Sequence, residues 1–139
     1  SFEELNQILQ NIDRKDKMGI CFDTCHTFAA GYDCSSFAGI EGIIRAISDT
    51  LGKEKIKLVH ANDSSTDLGS KRDRHAHIGK GFIGCQGFEY LIQNEFLGKL
   101  PFILETDPDG LDADIEILKK IRTASNSEEG LICSSTERK

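Results

Sequence analysis

The chain has 139 residues, of which 38% are hydrophobic and 29% charged, and carries a formal net charge of −6. No apolar run approaches the roughly 20 residues that cross a bilayer as a helix, and the acidic, amphipathic start Ser1-Phe2-Glu3-Glu4-Leu5 is unlike a secretory leader. A cytoplasmic location is therefore expected, nuclear or organellar in a eukaryote, and the five cysteines (Cys21, Cys25, Cys34, Cys85, Cys133), odd in number and without tight paired spacing, read as free thiols.

Residues 2–13 place Phe2, Leu5, Ile8, Leu9 and Ile12 on one helical face, and Ser1 followed by Glu4 matches a capping box. The apolar run Met18-Gly19-Ile20-Cys21-Phe22 predicts a buried strand ending at Asp23. Ile40, Ile43, Ile44, Ile47 and Leu51 then recur with helical period, with Gly52 as the stop. A second strand, Ile56-Lys57-Leu58-Val59, leads into His60 and a long loop rich in glycine and charge. Long loops inside a compact domain are commonly functional. Phe88, Leu91, Ile92 and Phe96 mark a further helix, and Pro101-Phe102-Ile103-Leu104 gives a third strand ending at Glu105. A last helix starts near Asp112, read as its N-cap, and runs through Ile115, Leu118 and Ile121. The tail 123–139 has no periodic apolar face and is expected to be disordered, leaving 1–122 as the folded domain.

Helices alternating with continuously apolar strands imply an α/β fold with a parallel sheet and right-handed crossovers. In such folds the chemistry sits at the C-terminal ends of the strands, and here all three strands end in a residue able to bind a metal: Asp23, His60 and Glu105. His26 follows three residues after Asp23, and Asp73 and His75 lie in the loop after His60. Imidazoles mixed with carboxylates, without paired thiolates, suit catalytic Zn²⁺, and also Mn²⁺ or Fe²⁺. Six ligands exceed what one tetrahedral ion with an open position takes, so a cluster is implied, and clustered ions suit phosphoester hydrolysis.

Lys71, Arg72 and Arg74 flank Asp73 as phosphate-contact candidates, which offsets a net charge unfavourable for DNA. Asp33, Asp63 and Asp67 read as turn or cap residues and His77 as exposed loop. The thiols of Cys21 and Cys25 read as small packing groups, and Gly79-Lys80-Gly81 as a backbone turn.

At these positions the sequence resembles the endonuclease IV family of abasic-site enzymes. The matching segments are Gly19 to Asp33, Val59-His60-Ala61-Asn62-Asp63-Ser64, Arg72-Asp73-Arg74-His75 with Gly79-Lys80-Gly81, and Leu104-Glu105-Thr106. The resemblance implies the last three β/α units of a (β/α)₈ TIM barrel, a fold of roughly 250 residues when complete. It implies up to three zinc ions in the whole barrel, with Asp23, His60 and Glu105 on one and His26, Asp73 and His75 on another. It also implies cleavage of duplex DNA 5′ to an abasic site, with Glu105 as the catalytic carboxylate that orients the attacking water. The remaining ligands would come from an N-terminal half or from a second chain. A metal-dependent sugar isomerase or epimerase on a similar barrel is the alternative that strand-end ligands alone leave open.

Overall fold

The computed structural model describes residues 1–125; most of the expected tail, 126–139 with Cys133, lies outside the described residues. Helix α1 (Phe2–Gln10) carries the expected capping box, Ser1 Oγ accepting from the Glu4 N–H while the Glu4 carboxylate takes the Ser1 amine. It ends earlier than the apolar spacing suggests. Asn11 closes it by donating from Nδ2 to the Gln7 carbonyl at 2.8 Å.

Strand β1 (Ile20–Asp23) runs directly into α2 (Thr24–Ala29), a short helix that hydrophobic spacing did not delimit. Asp23 ends the one and caps the other, accepting from the His26 N–H at 2.8 Å. Helix α3 (Phe37–Thr50) buries Ile40, Ile43, Ile44 and Ile47. Its start is shaped by Asp33, whose carboxylate takes Ser35 and Ser36, and by Gly39, where a Cβ would lie 2.1 Å from the Asp33 carbonyl. Strand β2 (Ile56–His60) follows.

The long loop after β2 is itself folded. Two-residue strands β3 (Asp63–Ser64) and β4 (His75–Ala76) pair antiparallel within it. Asp63 is a turn organiser of unusual depth: fully buried, it accepts from the N–H groups of Ser64, Gly79, Gly81, Ile83 and Gly84. Burial raises its pKa even so. Gly79, at φ +78°, and Gly81, where a Cβ would sit 2.3 Å from the Ser64 carbonyl, serve that backbone turn.

Helix α4 (Gly84–Gln93) precedes a 3₁₀ turn at Leu97–Lys99 and strand β5 (Phe102–Ile103). Helix α5 (Leu111–Ser125) takes in the first three residues of the expected tail, and Asp112 lies in its first turn rather than at a cap. The expectation of free thiols holds for Cys21, Cys25 and Cys34, whereas Cys85 is disulfide-bonded.

The strands align parallel in the order β1-β2-β5, with Asp23 beside His60 and His60 beside Ile103. Phe22, Val59 and Phe102 turn towards the helices, which pack in sequence α1 on α3, α3 on α4 and α4 on α5. The pleat sends alternate residues to the opposite face, where Cys21 and Ile103 are exposed. Among the described residues one face of the sheet is thus covered and the other is bare, the arrangement of a barrel segment. No helix among the described residues is long and apolar enough to cross a membrane.

Ile47, fully buried in α3, sits at the centre of this core. Ile47→Ala is expected to lower unfolding stability by about 3 kcal/mol, read from a denaturant midpoint at unchanged slope.

Candidate metal centre

Parallel register brings the three strand exits to one end of the sheet. β1 stops at Asp23 and β2 at His60; β5 stops at Ile103, two residues before Glu105, so the third strand is shorter than the sequence suggests. Glu105 is held instead by a side chain. Its N–H donates to Asn62 Oδ1 at 2.8 Å, while Asn62 Nδ2 donates to the carboxylates of Asp23 at 3.3 Å and Glu105 at 3.2 Å. Asn62 is fully buried and in turn fixed by Thr24, whose Oγ1 accepts from the Asn62 N–H at 2.9 Å and donates to its carbonyl at 2.6 Å. Neither residue was singled out in the sequence. An Asn two residues beyond a strand end reads as a turn former, and only the fold turns it towards two carboxylates.

Around this frame the six predicted ligands converge in two groups. His60 Nδ1 lies 2.8 Å from Glu105 Oε2 and 3.6 Å from Asp23 Oδ2. Potential ligand atoms of Asp23, His60 and Glu105 all fall within 4.8 Å of one another. In the second group His26 Nε2 is 2.9 Å from Asp73 Oδ2, and His75 Nε2 is 3.2 Å from Asp73 Oδ1. Asp23, His26 and His75 also fall within 4.8 Å, so Asp23 sits between the groups. The buried thiol of Cys25 comes within the same range of Asp73 and His75, donating weakly to Asp73 at 3.8 Å. Burial pushes that thiol up, towards the neutral form, and it packs as expected.

Donor chemistry fits a divalent cation. Three imidazoles and three carboxylates meet here, and among the described residues neither lysine nor arginine forms an ion pair with Asp23, Asp73 or Glu105. His75 Nε2 is buried and lies 3.2 Å from Asp73 Oδ1 without hydrogen-bond geometry, while its Nδ1 faces the Glu105 carbonyl at 3.3 Å. A ring held through one nitrogen with the other left for a cation is the usual state of a metal-bound histidine.

The basic residues Lys71, Arg72 and Arg74 are exposed in the β3–β4 loop beside Asp73. That loop is docked on the end of α2, where Gly69 and Lys71 donate to the Phe28 and Ala29 carbonyls at 3.0 and 2.9 Å. Lys71 adopts φ +57°, a left-handed conformation held by this docking. His77, expected in exposed loop, is half-buried and bonded to Asp114, a pairing that sequence separation concealed.

Burial lowers the His26 pKa, but the Asp73 hydrogen bond and the charges of Asp23, Asp73 and Glu105 outweigh it and raise the imidazole above its ordinary value. The His26 hydrogen bond holds Asp73 below the usual carboxylate range. In the metal-free chain the His26 contribution to stability is complete below the unfolded histidine value and fades as pH rises through the raised one. The Asp73 contribution is present above the ordinary carboxylate value and fades as pH falls through the lowered one. Metal ligation needs neutral imidazole, so Zn²⁺ affinity should fall on the acid side of the raised His26 value. NMR titration of the metal-free chain should give His26 a midpoint above that of an ordinary histidine, and Asp73→Asn should lower it. Asn62→Ala, which removes the shared donor and leaves the Glu105 N–H unpaired, should cost about 1–3 kcal/mol in a denaturation measurement.

Comparison with known proteins agrees with this arrangement. The family described as "Xylose isomerase-like TIM barrel" matches residues 1–121. A "Probable endonuclease 4" of Aquifex aeolicus is 47% identical over 106 residues, covering 76% of this chain and 37% of that protein. "Apurinic-apyrimidinic endonuclease 1" of Plasmodium berghei is 44% identical over 105 residues, covering 76% of this chain and 21% of its own. The crystal structure of endonuclease IV from Thermus thermophilus superposes with a TM-score of 0.74 at 35% identity, covering 92% of this chain and 44% of that one. The chain thus spans less than half the length of these relatives. A parallel sheet with its ligand-bearing ends gathered at one rim, and a family match over nearly all of the described residues, place the chain in the xylose isomerase-like TIM barrel family, with strong similarity to its endonuclease IV members.

Proposed function

We propose that the chain forms the zinc-binding portion of a DNA repair endonuclease that hydrolyses the phosphodiester 5′ to an abasic site in duplex DNA, leaving a 3′-hydroxyl and a 5′-deoxyribose phosphate. The observation that carries this reading is the convergence of Asp23, His26, His60, Asp73, His75 and Glu105 at one rim, in a chain 47% identical over 106 residues to a "Probable endonuclease 4".

In this reading Asp23, His60 and Glu105 hold one ion and His26, Asp73 and His75 another, with up to three in a complete barrel. The nitrogen and oxygen donor set suits Zn²⁺, and also Mn²⁺ or Fe²⁺. When bound, such ions polarise the phosphate oxygens, ease ionisation of water near neutral pH and neutralise the leaving alkoxide. Glu105, whose carboxylate is 43% exposed, accepts a hydrogen bond from the attacking water and orients it. Asn62 keeps that carboxylate aimed through its two hydrogen bonds to Glu105. Lys71, Arg72 and Arg74 contact phosphates and position the duplex without reading sequence. Their local placement answers the unfavourable net charge, because attraction is concentrated at the cluster rim.

The bare sheet face and the open edges of β1 and β5 belong, in this proposal, to the remaining barrel strands, supplied by a longer polypeptide or by a second chain. Those strands would bring the other zinc ligands.

The test is incision of a duplex carrying one abasic site, by the chain alone and together with the N-terminal half of a related barrel. Cutting should appear with the reconstituted barrel, be abolished by a chelator, and drop by at least about a hundredfold with Glu105→Gln. Failure of the reconstituted barrel to cut, although it binds zinc and duplex, would sink the proposal. Isomerisation of a monosaccharide in its place would favour the sugar isomerase alternative.

A further inference from the structure

Outside the candidate ligands, one buried carboxylate touches both of the segments that carry His75 and Glu105. Asp114, in the first turn of α5, is 1% exposed. Its Oδ1 accepts from the Ile78 N–H at 2.9 Å, and its Oδ2 accepts from Thr106 Oγ1 at 2.6 Å and from His77 Nδ1 at 2.8 Å. Thr106 directly follows Glu105, and His77 and Ile78 lie two and three residues after His75.

We propose that Asp114 is a positioning residue of the metal centre: it ties the exit of β4 to the exit of β5 and so fixes His75 and Glu105 relative to one another. The inference rests on the metal reading of the cluster given above. Directly, the two ligand segments are joined among the described residues by the hydrogen-bond contact of His75 Nδ1 with the Glu105 carbonyl, at 3.3 Å. Asp114 adds a second clamp one or two residues further along each segment, which removes the rotation that one contact allows. Its three donors also account for a carboxylate buried with no lysine or arginine partner among the described residues.

The surroundings are cut to this geometry. At Gly110, one turn before Asp114, a Cβ would lie 2.6 Å from the His77 ring, so only glycine leaves the imidazole its place against the carboxylate. His75, His77, Glu105 and Thr106, with Asp73 and Arg74, line a cleft of about 350 Å³. The clamp therefore forms the wall of the space beside the candidate ligands. Partners that orient metal-bound histidines and carboxylates commonly govern affinity by 10- to 100-fold, although they touch no metal.

The experiment reads each side of the clamp from the other, in the chain as it stands. Thr106→Val removes one donor and His77→Ala another; Thr106→Ser keeps the hydroxyl. Asp114→Asn keeps the volume but turns an NH₂ against at least one of the three donors. In the metal-free chain, NMR should show the His75 ring signals displaced by Thr106→Val and the Glu105 amide displaced by His77→Ala. Asp114→Asn should move both, and α3 amides should stay in place. Zinc titration should show about tenfold weaker binding for Thr106→Val and Asp114→Asn, with Thr106→Ser close to the unmodified chain.

Variants that lose thermal stability while the His75 and Glu105 signals stay put would overturn the inference, since a purely structural role predicts that pattern. If the unmodified chain binds no zinc, the metal reading falls by itself. The crosswise signals then decide the clamp alone: displacement supports it and its absence overturns it.

Discussion

Everything at the rim depends on negative charge that, among the described residues, only imidazoles and no lysine or arginine face. Asp23 and Glu105 share one donor, Asn62, and Asp73 stands between two imidazoles. Two like charges about 4 Å apart in partly screened surroundings repel by roughly 4 kcal/mol, and the hydrogen bonds to these carboxylates offset only part of that. A divalent cation would convert the same arrangement from a cost into a binding site. The same carboxylates raise the His26 pKa above its ordinary value.

The fold supplies the confinement. Parallel strands end at one level because β1, β2 and β5 are in register, and the turn residues beyond them interlock through Thr24, Asn62 and Glu105. The long loop, which composition alone would leave irregular, is organised around two buried carboxylates. Asp63 gathers the Gly79–Gly84 backbone, and Asp114 gathers His77, Ile78 and Thr106. Both are satisfied by donors rather than by countercharge, which makes them rigid nodes in a polar region. Loop precision of this kind matters because a ligand displaced by about 1 Å degrades metal geometry.

The covered sheet face and the bare one follow from the same strands. Phe22 and Val59 enter the helix-packed core, while Cys21 and Ile103 face outward, as the pleat requires. In a closed barrel that outward face is interior, and relatives more than twice as long as this chain have the length to close it. The six candidate ligands gather at one rim within these three β/α units.

Strand and helix identity were legible in the sequence because buried parallel strands read as apolar runs and α3 repeats isoleucine at helical spacing. Asp23 and His60 were legible for a related reason: strand ends in a parallel sheet share one rim, so residues that end strands become neighbours without knowledge of distances, and His26, Asp73, His75 and Glu105 were read from their places just after the expected strands. Short elements were not legible. α2 follows a strand without a break, β3 and β4 are two residues each, and β5 stops before Glu105 because Asn62, not a strand, takes its N–H. The roles of Asn62, His77 and Asp114 belong to tertiary structure alone. Each joins residues far apart in the chain, and local pattern carries no information about which distant donor a buried carboxylate or amide will find.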